Sequence, residues 1–182
     1  TIPKAYILPQ SWWNVIDLLK VNNIEMQPLP QDTEIEVESY RIAAHETSQY
    51  PYEGHYPHHN VTVEVKTEKI IFRKGDFVIN TQQPGVKYLL ETLEPQTVDS
   101  YFSWNFFDAI LQQKEYFSAY VFEDTAARLL KEDKALKAAF EAKKQKDKAF
   151  ADDAEAQLDW IYRQSPYYEK THLQYPVYRK VK

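Results

Sequence analysis

Three of the five histidines stand in one short run, His55, His58 and His59 in GHYPHHN. Neutral imidazole is a good zinc ligand, and Glu53 beside them would add an oxygen, so these are the candidate metal-ligating residues. Zinc needs its donors to converge on one point. Adjacent side chains on an extended loop point apart, and no HExxH or HxxE spacing occurs in the chain. The three are therefore read as satisfied or solvated loop histidines; His45 and His172 are isolated. General acid–base work asks for two carboxylates a few ångströms apart in unlike surroundings. Glu91 with Glu94, and Glu123 with Asp124, are close in sequence, but such acids on helices read as surface or capping groups. No serine sits in a GxSxG elbow, and three glycines do not build a phosphate cradle. The absence of cysteine excludes disulfides, thiol catalysis and thiolate zinc. No catalytic residue, cofactor-binding residue or established metal ligand emerges, and the chain reads as a non-enzyme.

The elements that must position these residues begin with Ala5-Tyr6-Ile7-Leu8-Pro9, an apolar run closed by proline and read as a buried strand. Ser11 can cap a helix in which Trp12, Val15, Ile16 and Leu19 form one apolar face. Asn22-Asn23 can end it, because Asn tolerates left-handed geometry. Residues 24–29 give a second strand, and the order strand, helix, strand predicts a crossover between two parallel strands. Glu34 to Glu38 alternates strictly, breaks at Ser39-Tyr40, where a bulge fits, and resumes at Ile42. Val61, Val63 and Val65 alternate with Glu64 and Lys66. Segments 34–44 and 61–72 thus predict an antiparallel ribbon with Val63 inward and Glu64 outward, joined by the histidine-bearing loop. Lys74-Gly75-Asp76 reads as a turn, residues 76–81 as a strand, and residues 84–93 as a helix that Pro95 ends.

From residue 96 to residue 165 there is no glycine or proline, which permits uninterrupted helix. Within that run Tyr101 to Phe122 holds nine aromatic residues in 22, against 27 in the whole chain of 182. Rings at that density anchor a core or line a binding surface. Helices are expected from Asp99 or Ser100 to Leu111 and from Asp124 or Thr125 onward. The seven lysines and four acids of 131–148 read as a solvated helix face. Phe150, Ala154, Leu158 and Ile161 form a further stripe that Pro166 stops, and Tyr167 to Arg179 reads as an extended tail. The fold class expected is α+β, as a single domain over 1–182. Residues 1–95 would form a mixed β-sheet with packed helices, and residues 96–182 a helical, aromatic-rich part docked through the 101–122 rings.

A formal charge of −5, with no basic patch interleaved with aromatics, disfavours nucleic acid as a partner. No apolar run approaches the length of a membrane helix, and no signal peptide is recognisable. The chain starts Thr1-Ile2-Pro3 without Met, so it reads as an excised piece of a longer protein.

The words AYILP, PYEGHYP, KGDFVINTQQP, YLLETLEP, DSYFSWNFFD, KEYFSAYVFED and YPVYR occur in this order from Ala5 to Arg179. As a set they resemble the region after the catalytic domain in long bacterial zinc metallocarboxypeptidase-type proteins. The resemblance implies zinc held by an HxxE pair and a distant histidine, with a glutamate as general base, all in a preceding catalytic domain. No HxxE occurs here, so no catalytic or metal residue carries over. What it implies for this chain is a non-catalytic C-terminal accessory domain of a periplasmic or secreted protein. Its partner would be the upstream peptidase domain of the same polypeptide. The reading from another class is an independent peptide- or glycan-binding module using exposed rings, and a third is a metal-dependent enzyme built on the histidine loop.

Overall fold

Ala5–Leu8 (β1) is apolar and buried at all four positions, as a strand covered on both faces must be. It runs antiparallel to β5 (Phe77–Asn80) on one side and to β6 (Tyr178–Lys180) on the other. The computed structural model describes residues 1–181. Among them six strands form one sheet in the order β2 (Gln27–Pro28), β5, β1, β6, β3 (Thr33–Thr47), β4 (His58–Phe72). The α+β class holds, but the sheet is not mixed, because every strand pair among the described residues is antiparallel. β1 and β2 do point the same way, since both run antiparallel to β5; they are not neighbours, because β5 inserts between them.

Helix α1 (Trp13–Val21) buries Val15, Ile16 and Leu19, the expected face. Its N-cap is Trp12, with no side-chain cap, so the Ser11 cap is not formed. Asn23 takes φ 55, its N–H donates to Lys20 O, and the Ile24 N–H donates to Leu19 O. Those are the two bonds of a Schellman ending. Ile24 is thereby held as the helix stop, which is why β2 is shorter than expected. Helix α2 (Val86–Leu93) starts after Gly85 rather than at Pro84. A Cβ on Gly85 would lie 2.3 Å from Ile24 Cδ1, so a larger residue there would have to move the Ile24 side chain.

The ribbon forms as read. β3 and β4 pair from Thr33 opposite Phe72 to Thr47 opposite His58. The register shifts flank Ala44, so the bulge is there and not at Ser39-Tyr40. Val63 is half-buried against the main core and Glu64 is exposed, whereas Val65, on the same face as Val63, is 58% exposed. Each face of the sheet carries its own apolar cluster. Tyr6, Leu8, Tyr40 and Ile42 join Val15, Leu19, Leu89 and Leu93 on one. Ile7, Val37 and Phe72, with Ile35, Ile70 and Tyr178, cluster on the other.

β6 is the strand that local pattern misses, since it lies in what reads as an extended tail. It enters the sheet between β1 and β3 and places Arg179 opposite both Tyr6 and Glu38. Arg179 Nη1 donates to Glu38 Oε2 at 2.6 Å, and its Nη2 donates to Thr1 O. Its Nε stands 2.9 Å from Glu94 Oε1, close enough for charge attraction, although its N–H makes no aligned hydrogen bond. The Tyr6 hydroxyl donates to the same Glu94 oxygen at 2.6 Å. Burial, reinforced by that bond and by the Glu94 charge, holds the Tyr6 phenol far above its ordinary range, so it remains a donor. Burial, followed by the Glu94 charge, pushes Tyr40 up to about 12.

The helix expected from 99 or 100 to 111 is not formed; only Asp108–Ile110 makes a 3-10 turn. The aromatic-rich backbone bonds instead to the loop before β4. The His58 N–H donates to Ser103 O, and Asn105 sits at φ 66 with its carboxamide clamped on the backbone of Tyr56. Ser and Asn side chains compete with helical bonds in this way. Tyr101, Phe102 and Phe107 are buried in the main core.

The described residues divide into two compact units. One is Thr1–Gln112 rejoined by the chain from Thr171 onward; the other is Gln113–Lys170. The divisions therefore lie at Gln112 and Thr171, not near Pro95. In the second unit, helices α3 (Ala119–Glu132), α4 (Lys134–Lys146), α5 (Lys148–Ala151) and α6 (Ala154–Gln164) surround Phe122, Phe140, Phe150, Ile161 and Tyr162. α3 starts at Ala119, ahead of the expected Asp124 or Thr125 cap, and the expected Phe150–Ile161 stripe is split between α5 and α6. Asp133, Asp147 and Asp153 cap α4, α5 and α6 through backbone N–H groups. The rings of 101–122 thus serve two cores, with Tyr101, Phe102 and Phe107 in one and Phe117 and Phe122 in the other. Among the described residues no helix is long and apolar enough to cross a membrane.

Arg179→Ala leaves Glu38 and Glu94 without their cation in a largely desolvated place, and is expected to cost about 3 kcal/mol. Lys20→Ala, which removes an exposed pair with Asp17, is expected to cost less than about 1 kcal/mol. Phe107→Ala is expected to cost about 3–5 kcal/mol, because the ring is fully buried. Urea unfolding of the three variants checks the ranking.

Candidate functional site

The histidine loop is a built feature at the tip of the ribbon. Tyr52 and His55 exchange both backbone hydrogen bonds across Glu53 and Gly54, which take φ 49 and φ 78. Two consecutive positive φ values make a tight hairpin turn of the kind that matches strand twist. Glu53 therefore sits at the turn apex rather than beside the histidines as a ligand.

The three candidate metal histidines go to three different surroundings. His55 lies edge-on to Trp104 at 5.6 Å and stacks on Phe106 at 6.0 Å between ring centroids. His59 Nε2 is 3.2 Å from Glu46 Oε2 at the surface. His58 is 5% exposed, with Nδ1 2.9 Å from Thr47 Oγ1 and Nε2 2.9 Å from Asp108 Oδ1. His55 and His58 are three residues apart, yet the ribbon and the 103–108 turn use them separately. Among the described residues no three His, Asp or Glu side chains converge as metal ligands. Both His58 nitrogens face protein partners, so this donor set does not fit zinc. His172 bonds through its backbone to Arg41, away from the loop.

Thr47, His58 and Asp108 place hydroxyl, imidazole and carboxylate in line, the order of a nucleophile relay. Such a relay also needs donors aimed at a developing oxyanion. The polar groups around His58 are engaged with one another instead. Ser103 Oγ donates to His58 O at 2.7 Å, and Asn105 Nδ2 lies 3.2 Å from His58 Nε2. His58 acts as a clasp between the end of β3, the start of β4 and the 3-10 turn. His45 packs edge-on against it at 4.7 Å and against Phe102 at 5.7 Å.

The clasp holds open a cleft of about 650 Å³ between the ribbon tip and the segment 96–104. Tyr52 and Trp104 line it as a contacting ring pair, with centroids 6.1 Å apart and planes tilted by 43°. Tyr50, Tyr52 and Tyr56 are exposed on the loop, at 81%, 63% and 50%. Asn60, Gln96 and Asp99 supply polar groups to the walls. Local pattern missed Thr47, Asn105 and Asp108 in the clasp, and Tyr52, Gln96 and Asp99 in the cleft. The one available signal was Glu53-Gly54, a dipeptide ending in the glycine that hairpin turns favour.

Two outcomes test the clasp. His58→Ala is expected to cost about 1–3 kcal/mol, because it removes the imidazole partner of Thr47, Asp108 and Asn105. His45 carries the pH dependence. Burial, then the neighbouring His58, holds its imidazole below the ordinary histidine range. The unfolded chain takes up that proton at higher pH than the folded one. This contribution to stability is therefore complete above about pH 6.5 and falls as pH drops towards the depressed folded value. Thermal melts across that range should show the decline, and His45→Gln should flatten it.

No family model matches the chain, and no solved structure matches it. Carboxypeptidase 2 of Trichophyton tonsurans and that of Trichophyton rubrum are each 28% identical to it over 104 residues. The match covers 56% of this chain and 19% of each relative, so the chain spans about a fifth of the curated relatives it matches. These relatives are fungal, and the similarity is to a carboxypeptidase-related region without the bacterial assignment.

Proposed function

We propose that this chain is a non-catalytic accessory region of a carboxypeptidase-type protein, where it packs on the peptidase domain or shapes substrate access. The similarity to carboxypeptidase 2 over 104 residues carries the reading. It is supported by the short share of those relatives that is matched, and by the lack of an HxxE pair in this sequence. In this reading zinc and the catalytic glutamate belong to the peptidase domain, and the parent protein is exported, as the family resemblance implies.

A second reading is favoured by one observation. Tyr52 in contact with Trp104, with the exposed Tyr50 and Tyr56 on the same loop, offers the kind of aromatic surface that a binding module uses. The two readings differ in what the chain touches. The test is to supply the peptidase domain of the parent protein in trans. The accessory reading expects a complex on gel filtration and a changed kcat/KM for release of C-terminal residues from peptides. The isolated chain is expected to release none. No complex together with identical kinetics overturns the accessory reading, and hydrolysis by the isolated chain overturns the non-catalytic one.

A further inference from the structure

We infer that the cleft between the ribbon tip and the segment 96–104 binds a neutral carbohydrate; the inference rests on the binding-module reading and names its ligand class. Tyr52 and Trp104, in contact with each other, make one aromatic wall of the cleft, and the C–H faces of a pyranose carry the partial positive charge that aromatic π-density attracts. The walls supply hydrogen-bonding groups of both polarities. Asn60 offers a whole carboxamide on an exposed residue. Gln96 donates through Nε2 to Val61 O at 3.2 Å, which fixes the side chain and leaves its oxygen to accept. Asp99 offers a carboxylate that can accept from two neighbouring hydroxyls, and its Oδ1 lies 3.4 Å from Trp104 Nε1, which sets the indole orientation. Each sugar hydroxyl both donates and accepts, so a mixed wall suits it.

The same wall suits a peptide poorly. Among the described residues lining the cleft there is no lysine or arginine to receive a C-terminal carboxylate. The acid Asp99 would repel one. Strand addition along β4 beside the cleft meets Val61 O already bonded to Gln96. The platform is held before any ligand arrives. His55 buttresses Trp104, and Asn105 pins the backbone of Tyr56. Such pre-ordering lowers the entropic cost of binding.

Isothermal titration of the full chain tests the assignment. The probes are the β-1,4-linked tetramers of glucose and of N-acetylglucosamine, α-mannotetraose, and tetrapeptides with free C-termini that end in a basic, an acidic or an apolar residue. Saturable binding of at least one sugar is expected, weakened at least tenfold in Tyr52→Ala and in Asp99→Ala. Both residues are exposed, so melting temperatures close to the parent's are expected and confirm that each variant folds. Sugar binding that neither substitution weakens overturns the cleft as the site. Peptide binding without sugar binding overturns the carbohydrate assignment and leaves the binding-module reading standing. No binding by any probe overturns both, and the trans-complementation result for the accessory reading stands apart from all of these.

Discussion

The sheet depends on one cation. Arg179 arrives on the three-residue strand β6, which has few backbone bonds of its own to hold it between β1 and β3. Its guanidinium reaches Glu38 on β3, Glu94 at the end of α2, and the backbone of Thr1. Tyr6 on β1 shares Glu94, and the guanidinium lies 5.5 Å from the Tyr40 ring centroid. One side chain therefore joins elements from both ends and the middle of the chain. Taking such charges out of water is costly, so the arrangement specifies strand order more than it adds net stability. An apolar residue at the same place would pack but would not select Glu38 and Glu94 as neighbours.

That constraint sets up the ribbon. β3 and β4 are long strands, and only the start of β3 and the end of β4 are backed by the small cluster around Val37 and Phe72. Further along, the inward side switches to Tyr40, Ile42 and Val63 on the main core. The bulge at Ala44 then re-aims the strand before the tip. A tip carried so far on two strands would be mobile without an anchor. His58, Ser103 and Asn105 supply the anchor by bonding the tip to the 103–108 turn. The exposed edge of β4 alternates Lys and Glu around Glu64, Lys66, Glu68 and Lys69, which discourages pairing with another chain.

The second unit follows a different rule. Each of its helices α4, α5 and α6 starts on an aspartate that accepts backbone N–H groups. The lysines of α4 lie outside, and two of them lean over buried rings, Lys143 above Phe150 and Lys144 above Phe140. Aliphatic stems that cover apolar surface while the ammonium stays wet explain how so charged a helix can close a small core.

Local periodicity by itself determined the buried face of α1, the antiparallel ribbon and its inward Val63, and the α+β class. These follow from side-chain spacing along one element, which needs no knowledge of a partner. The sequence also determined that no HxxE pair is available to hold a metal. Tertiary structure decided what each face meets. It placed β5 between β1 and β2, drew the tail into the sheet as β6, and moved the bulge to Ala44. It also turned Tyr101 to Phe107 away from helix, because Ser103 and Asn105 found better partners in the ribbon loop than in their own backbone. The clasp and the cleft belong to this second class. Thr47, His58 and Asp108 are brought together by strand pairing and a turn, and spacing along the chain carries no trace of a contact made between segments that only folding makes neighbours.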